Sequence, residues 1–173
     1  DLCRAAATEP GARFLGIGNG PIVHLPEVRA DQYGIRARLP VEPSPIKFEI
    51  VFEARISFDA PGEHDRISGI TTLSQVDLVA SKLLANVDRW ADAGVMSRDI
   101  LDLAMLEPSR DIWRAALRKA EGAYGETVLR ALKAARMQLL EDRRRLARCM
   151  EALQIRVPQA LLHQRLQRLG PKV

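Results

Sequence analysis

The sequence predicts an α+β protein, with a mixed or antiparallel sheet in its N-terminal part and a C-terminal helical bundle. Three observations carry that prediction. Residues 46–56, IKFEIVFEARI, alternate apolar and polar side chains with the two-residue period of a strand buried on one face. From about residue 73 the apolar residues recur at helical spacing, and they keep it to the end. The turn formers also change character: Pro40, Pro43, Pro45 and Pro61-Gly62 segment the first part, whereas single breaks at Gly94, Pro108, Gly122 and Gly125 punctuate the second. Strands first and helices afterwards argue α+β, divided into a strand-rich part at 1–72 and a helical domain at 73–173.

In the first part, residues 1–7 read as the end of a helix stopped by Pro10-Gly11, and 12–17 as a strand. The run Gly16-Ile17-Gly18-Asn19-Gly20 has the glycines of a phosphate loop, but Pro21 and an apolar run follow it where a helix N-terminus is needed, so it reads as a hairpin turn. Residues 21–25 and 28–39 read as strands. The latter sets Asp31, Tyr33, Ile35, Ala37 and Leu39 on one side, with Arg36 and Arg38 on the other. In 46–56, Ile46, Phe48, Ile50, Phe52, Ala54 and Ile56 face the expected core, opposite Lys47, Glu49, Val51, Glu53 and Arg55. Residues 58–68 form a loop or hairpin, and Ile70 ends the sheet region.

In the second part, Thr72 to Gln75 supply N-cap groups for a helix packed through Val76, Val79, Ala80, Leu83, Val87 and Trp90. Gly94 breaks it. Ser97 is expected to cap the next helix, with Asp99 in the first turn, where the dipole favours negative charge, and Pro108 closing it. A third helix spans 110–120, and a long fourth one spans 126–153 with Arg143-Arg144-Arg145 on its polar side. A short last helix begins at Val157-Pro158 and ends near Gly170-Pro171.

Composition bounds the function. A chain of 173 residues builds a real core in one domain or one and a half. No apolar run approaches the roughly 20 residues of a membrane span, and no secretory leader pattern opens the chain. Cys3 and Cys149 make no disulfide framework, so a reducing cytoplasm is expected. His24, His64 and His163 show no ligand or triad spacing, and neither cysteine sits in a nucleophile motif. The net charge is +4, with eleven Lys or Arg against five Asp or Glu between residues 110 and 148. That skew suits a polyanion partner and equally a solvated helical face. The chain opens on Asp1 with residues that look like the middle of a helix, so a fragment is expected.

The residues that can carry chemistry concentrate in residues 78–106, LVASKLLANVDRWADAGVMSRDILDLAML. At about 100° per residue, Lys82, Asn86 and Arg89 fall on one flank of the first helix, and Asp77, Ser81 and Asp88 on the other. A lysine, an amide and an arginine stacked over two turns present a cationic strip of the kind that meets phosphates, or else a solvated helix side. Asp99 and Asp102 share a face, and Arg98 can pair with Asp102. Asp102, among Ile100, Leu101 and Leu103, is expected to need a cation, Lys82 or Arg89, in a helix–helix clasp. Glu49, beside Lys47 and Glu53, is ordinary surface unless a metal site sits on that sheet face.

The segments YGIRARLP (33–40), SPIKFEIVFEARI (44–56) and SKLLANVDRW…SRDILDLAML (81–106) resemble the nucleotidyltransferase family of AbiEii/AbiGii toxins. Three motifs occur in the family's order across roughly residues 28–106, and the helices after Pro108 match in general character. The resemblance implies a polymerase-β-like nucleotidyltransferase fold. It implies a nucleoside triphosphate bound with Mg²⁺, transfer of a nucleotidyl group to RNA (tRNA for toxins of this kind), and a separately encoded antitoxin. Carried over residue by residue, it implies that Lys82 contacts the triphosphate with Asn86 and Arg89 beside it, that Asp99 and Asp102 are the acidic pair, and that Glu49 is the strand carboxylate next to the metal. The family's Gly-Ser or Gly-Gly segment with its metal-binding Asp-x-Asp is not visible in the chain. The expectation is that it lies upstream of Asp1, or else that this chain does not catalyse transfer. The alternatives are a non-catalytic RNA- or protein-binding module on the same scaffold, and a structural helical domain whose Lys82, Arg89 and Asp102 form an internal ion-pair network.

Overall fold

In a computed structural model the described residues are 28–39 and 43–170. The helix expected at 1–7, the strands at 12–17 and 21–25, the Gly16–Gly20 turn and Cys3 fall outside them. The chain divides into two compact units, residues 1–54 and 55–173.

In the first unit, β1 (Val28–Asp31), β2 (Gly34–Leu39) and β3 (Ile46–Val51) form an antiparallel sheet in the order β1-β2-β3. The single strand expected at 28–39 is therefore a hairpin. The Asp31 carboxylate makes the turn by accepting the Tyr33 N–H at 2.7 Å. Gly34 completes it with φ 144°, where an added Cβ would lie 2.0 Å from the Ile50 carbonyl oxygen. In the central strand the expected alternation holds: Ile35 and Ala37 are buried, and Arg38 points to solvent. The strand expected at 46–56 stops at Val51, and Ile46, Ile50, Val51 and Phe52 are exposed. Alternation buries a face only where a second layer covers it, and no described layer of this unit covers β3.

The second unit opens with a small hairpin, β4 (Arg66–Ile67) and β5 (Ile70–Thr71). Ser68 and Gly69 both take positive φ, as a two-residue hairpin loop demands. Helix α1 (Gln75–Arg89) follows, capped by Ser74, whose hydroxyl accepts the Asp77 N–H at 3.1 Å and donates to the Asp77 carboxylate at 3.0 Å. A 3₁₀ turn at Ala93–Val95 leads to α2 (Arg98–Leu106). Ser97 holds the cap position at φ 53° without a side-chain cap bond; Met96 and Ser97 both turn left-handed there, away from the extended backbone of an N-cap residue.

Helix α3 (Arg110–Tyr124) runs through Gly122 and ends at Gly125, φ 57°. The single helix expected at 126–153 is two, α4 (Thr127–Glu141) and α5 (Arg143–Ala152). Asp142 breaks it: at φ −114° and ψ 90° its carboxylate accepts the Arg145 N–H at 2.8 Å, so an aspartate inside the apparent stripe acts as the N-cap of a new helix. Helix α6 (Gln159–Arg168) closes the bundle.

Helix α1 packs against α2, α3 and α4. It contributes Val79, Ala80, Leu83 and Leu84 to a core that includes Ile100, Leu103, Ala116, Leu139 and Leu162. Each fully buried leucine stabilises the fold by about 1.5–3 kcal/mol, so α1 is a rigid base for whatever its other faces carry. No helix among the described residues is long and apolar enough to cross a membrane.

Candidate functional site

With its apolar stripe fixed in the core, α1 turns Lys82 and Arg89 toward α2. There they meet Asp99 and Asp102, one turn apart. Arg89 grips Asp99 with a two-pronged fork, Nε at 2.6 Å and Nη2 at 2.8 Å from its two carboxylate oxygens. Lys82 pairs with Asp102, and its Nζ lies 3.8 Å from Asp99. The cluster is graded: Asp99 is 3% exposed, while the side chains of Lys82 and Asp102 are 28% and 46% exposed. The hydrogen bond to Asp99 raises Arg89 above its ordinary pKa against the opposing effect of burial, and the charges of Asp99, Asp88 and Asp102 add to it. Arg89 is thus a fixed cation tied to the buried Asp99, whereas Lys82, similarly exposed at 28% against 32%, is tied to the exposed Asp102.

Two expectations are corrected here. The carboxylate enclosed by apolar packing is Asp99, not Asp102: sequence neighbours on a helix point about 100° apart, so apolar residues at 100, 101 and 103 do not surround residue 102. Asn86 lies inside rather than on the strip, 2% exposed, and its side-chain N–H₂ has no partner among the described residues.

Glu49 belongs to the first unit. The β2–β3 register sets it opposite Arg36, and its carboxylate lies 3.5 Å from the Arg36 guanidinium and 3.0 Å from Lys47 Nζ. A carboxylate between two cations is a poor ligand for a hard divalent ion, which wants several oxygens around it. Among the described residues no three His, Cys, Asp or Glu side chains converge to hold a metal. The described donors do not fit Mg²⁺.

A second buried carboxylate escaped the sequence reading. Asp77, wholly buried, pairs with Lys119 of α3 and accepts the Asp59 N–H at 2.8 Å and the Ser74 hydroxyl at 3.0 Å. Burial pushes its pKa up, but the Lys119 hydrogen bond, with those from Asp59 and Ser74, carries it below the usual carboxylate value. Burial likewise pushes Lys119 down, and the hydrogen bonds to Asp77 and Asp59 leave it raised. The Ser-x-x-Asp spacing signals a cap, but nothing local signals a lysine 42 positions on. On the far flank, Asp88 accepts from Arg55 and from the Tyr124 hydroxyl at 2.8 Å.

Fold and site together define an α+β protein whose helical unit carries a lysine–arginine–aspartate cluster between its first two helices. Residues 3–170 match the family model described as "Nucleotidyl transferase AbiEii toxin, Type IV TA system", and the chain belongs to that family of type IV toxin–antitoxin nucleotidyltransferases. The match reaches well past the motifs at 28–106 and takes in the helices after Pro108. No curated protein and no solved structure gives a match.

Proposed function

We propose that the protein transfers a nucleotidyl group from a nucleoside triphosphate to an RNA acceptor, with tRNA the acceptor expected, and that Lys82 is the group that meets the triphosphate. The acceptor oxygen bonds to the α-phosphorus, the α–β phosphoanhydride bond breaks, and pyrophosphate leaves. The observation that supports this reading is the unequal exposure of the two carboxylates that hold the cations, Asp102 at 46% and Asp99 at 3%. Lys82 is held by an exposed carboxylate, Asp102, which rehydrates readily when a phosphate oxygen takes its place. Arg89 and the buried Asp99 stay joined by two hydrogen bonds, fixing α1 against α2 so that Lys82 needs no further positioning. A divalent metal, Mg²⁺, a cognate antitoxin and a cytoplasmic site of action belong to the same reading through the family.

The test is incorporation of labelled nucleotide into tRNA by the full-length protein. Lys82→Ala is expected to abolish transfer, while Asp102→Asn, which removes only the exchangeable partner, is expected to retain it; transfer at the wild-type rate by Lys82→Ala overturns the assignment. One observation favours the alternative of a non-catalytic RNA- or protein-binding module: both cations of the strip already have carboxylate partners within the protein. Steeply salt-dependent RNA binding with no transfer by the full-length protein would decide for it.

A further inference from the structure

A second cationic feature lies away from the Lys82 cluster, within the helical unit. A cleft of about 340 Å³ opens between the end of α2, the first two turns of α3 and the last turn of α6. Four arginines line it, Arg110 and Arg114 from α3 and Arg165 and Arg168 from α6, against one carboxylate, Glu107. Glu107 is committed: it pairs with Arg165 at 2.6 Å. Arg110, Arg114 and Arg168 are exposed and make no ion pair among the described residues. The floor is apolar, with Leu103 and Leu117. On the walls, the Trp113 indole N–H and the Arg165 Nε–H are buried without an acceptor.

Each part of this arrangement asks for an anion. Like charges gathered in one cleft repel until a ligand neutralises them. Guanidinium forks match the planar pairs of oxygens on phosphate or carboxylate. The cleft also sits at the N-terminus of the 15-residue helix α3, whose dipole adds positive potential. Its volume suits a ligand of about nucleotide size. The arginines continue past it: Arg118, exposed on the next turn, extends a row at every fourth residue from Arg110. One carboxylate would occupy one fork, whereas a row with one charge per helical turn matches a polymer charged at every unit.

We propose that this cleft binds the sugar–phosphate backbone of a single RNA strand. That the strand is the acceptor of nucleotidyl transfer rests on the function proposed above; the phosphate site itself does not. Anisotropy of the full chain with fluorescein-labelled oligouridylate and with labelled tRNA tests it. The double variant Arg114→Glu/Arg168→Glu is expected to weaken binding at least about tenfold and to lower the slope of log Kd against log salt by about one to two. Arg130→Glu/Lys133→Glu, the same charge change on exposed residues of α4, is expected to stay within about twofold of wild type.

Equal weakening by both pairs overturns the proposal, because the effect is then one of net charge. Competition by poly-glutamate as strong as by oligouridylate overturns it in favour of an acidic protein partner. Competition by UTP alone at the oligouridylate affinity overturns the strand in favour of a free nucleotide. If the protein transfers nucleotide and the cleft variant keeps its KM for RNA, the cleft assignment fails and the function stands. If it transfers nothing but binds RNA through the cleft, the reverse holds.

Discussion

Helix α1 anchors two buried carboxylate clusters, and they differ in how they end. Around Asp77 the lysine is tied inward: Lys119, 20% exposed, hydrogen-bonds the buried carboxylate directly and takes the exposed Asp59 carboxylate, at 3.0 Å, as a second partner, while the Asp59 N–H and the Ser74 hydroxyl also donate to Asp77. Around Asp99 the buried carboxylate is held by the Arg89 fork, and Lys82, 3.8 Å from it, bonds the half-exposed Asp102 instead. A buried carboxylate is therefore no mark of a working site. The mark is a cation whose hydrogen-bonded partner is exposed and can be exchanged at little cost without stranding a buried charge.

The largest effect that separates the two clusters is on folding. Lys119→Met strands Asp77 in the interior without its cation, and such a break costs about 3–5 kcal/mol. Urea unfolding should show it as an early midpoint with unchanged m, while the fraction that remains folded keeps its RNA binding. A loss under about 1 kcal/mol would mean that water reaches Asp77 and that the contrast is false.

Lys82→Ala is the mirror experiment. Its partner is exposed, so unfolding stability should fall by no more than about 1 kcal/mol. Transfer should fall by about 10²-fold or more, the scale of losing one positioned charge from a charged transition state. A destabilisation as large as that of Lys119→Met would make the two clusters the same kind of structural clamp.

The pH dependence sharpens the comparison by a smaller amount. Asp77 is lowered from 3.8, so its contribution is complete above about that pH and drains away as pH falls through its folded value. Lys119 is raised from 10.5, so its contribution is complete below that pH and is lost as pH rises through its folded value. A tenfold difference in proton affinity between the folded and unfolded chains corresponds to about 1.4 kcal/mol. Stability should be flat between these limits as far as this pair is concerned, and the alkaline decline should shrink in Lys119→Met. Arg89, raised above its already high ordinary value, keeps its charge throughout and adds no alkaline decline of its own.

The sequence showed the helix-bearing half more fully than the other half, and for a physical reason. Helical periodicity and cap residues are local, so α1, an N-cap within 72–75 and a clasp of Asp102 by Lys82 or Arg89 could be read from the sequence, whereas the choice of Ser74 and of Lys82 came from the structure. What failed was non-local, or a competition between two local signals. Asp142 sits inside an unbroken apolar stripe, yet as an N-cap it outweighs continuation of the helix. The turn at Gln32-Tyr33 hides within an alternating run, since a strand and a hairpin share the two-residue period. Tertiary pairing placed Asp77 on Lys119 and gathered arginines of α3 and α6 into one cleft. Of that cleft, the charge skew at 110–148 disclosed only one wall.

The smallest effect concerns the other flank of α1, where Asp88 meets Arg55 and Tyr124. It resembles the Lys82 pair in exposure, with Arg55 and Asp88 side chains 36% and 43% exposed, and it resembles the Asp77 clamp in linking α1 to residues distant in sequence. The two resemblances predict opposite outcomes for Asp88→Asn. Exposure should decide: Arg55 keeps water and the face of the Tyr124 ring, 5.7 Å from its centroid, so losing the carboxylate should cost no more than about 1 kcal/mol. High salt should weaken the wild type toward the variant. A loss near that of Lys119→Met, insensitive to salt, would show that distant linkage rather than burial sets the strength of these clusters. The division between closed and open carboxylates would then have to be redrawn.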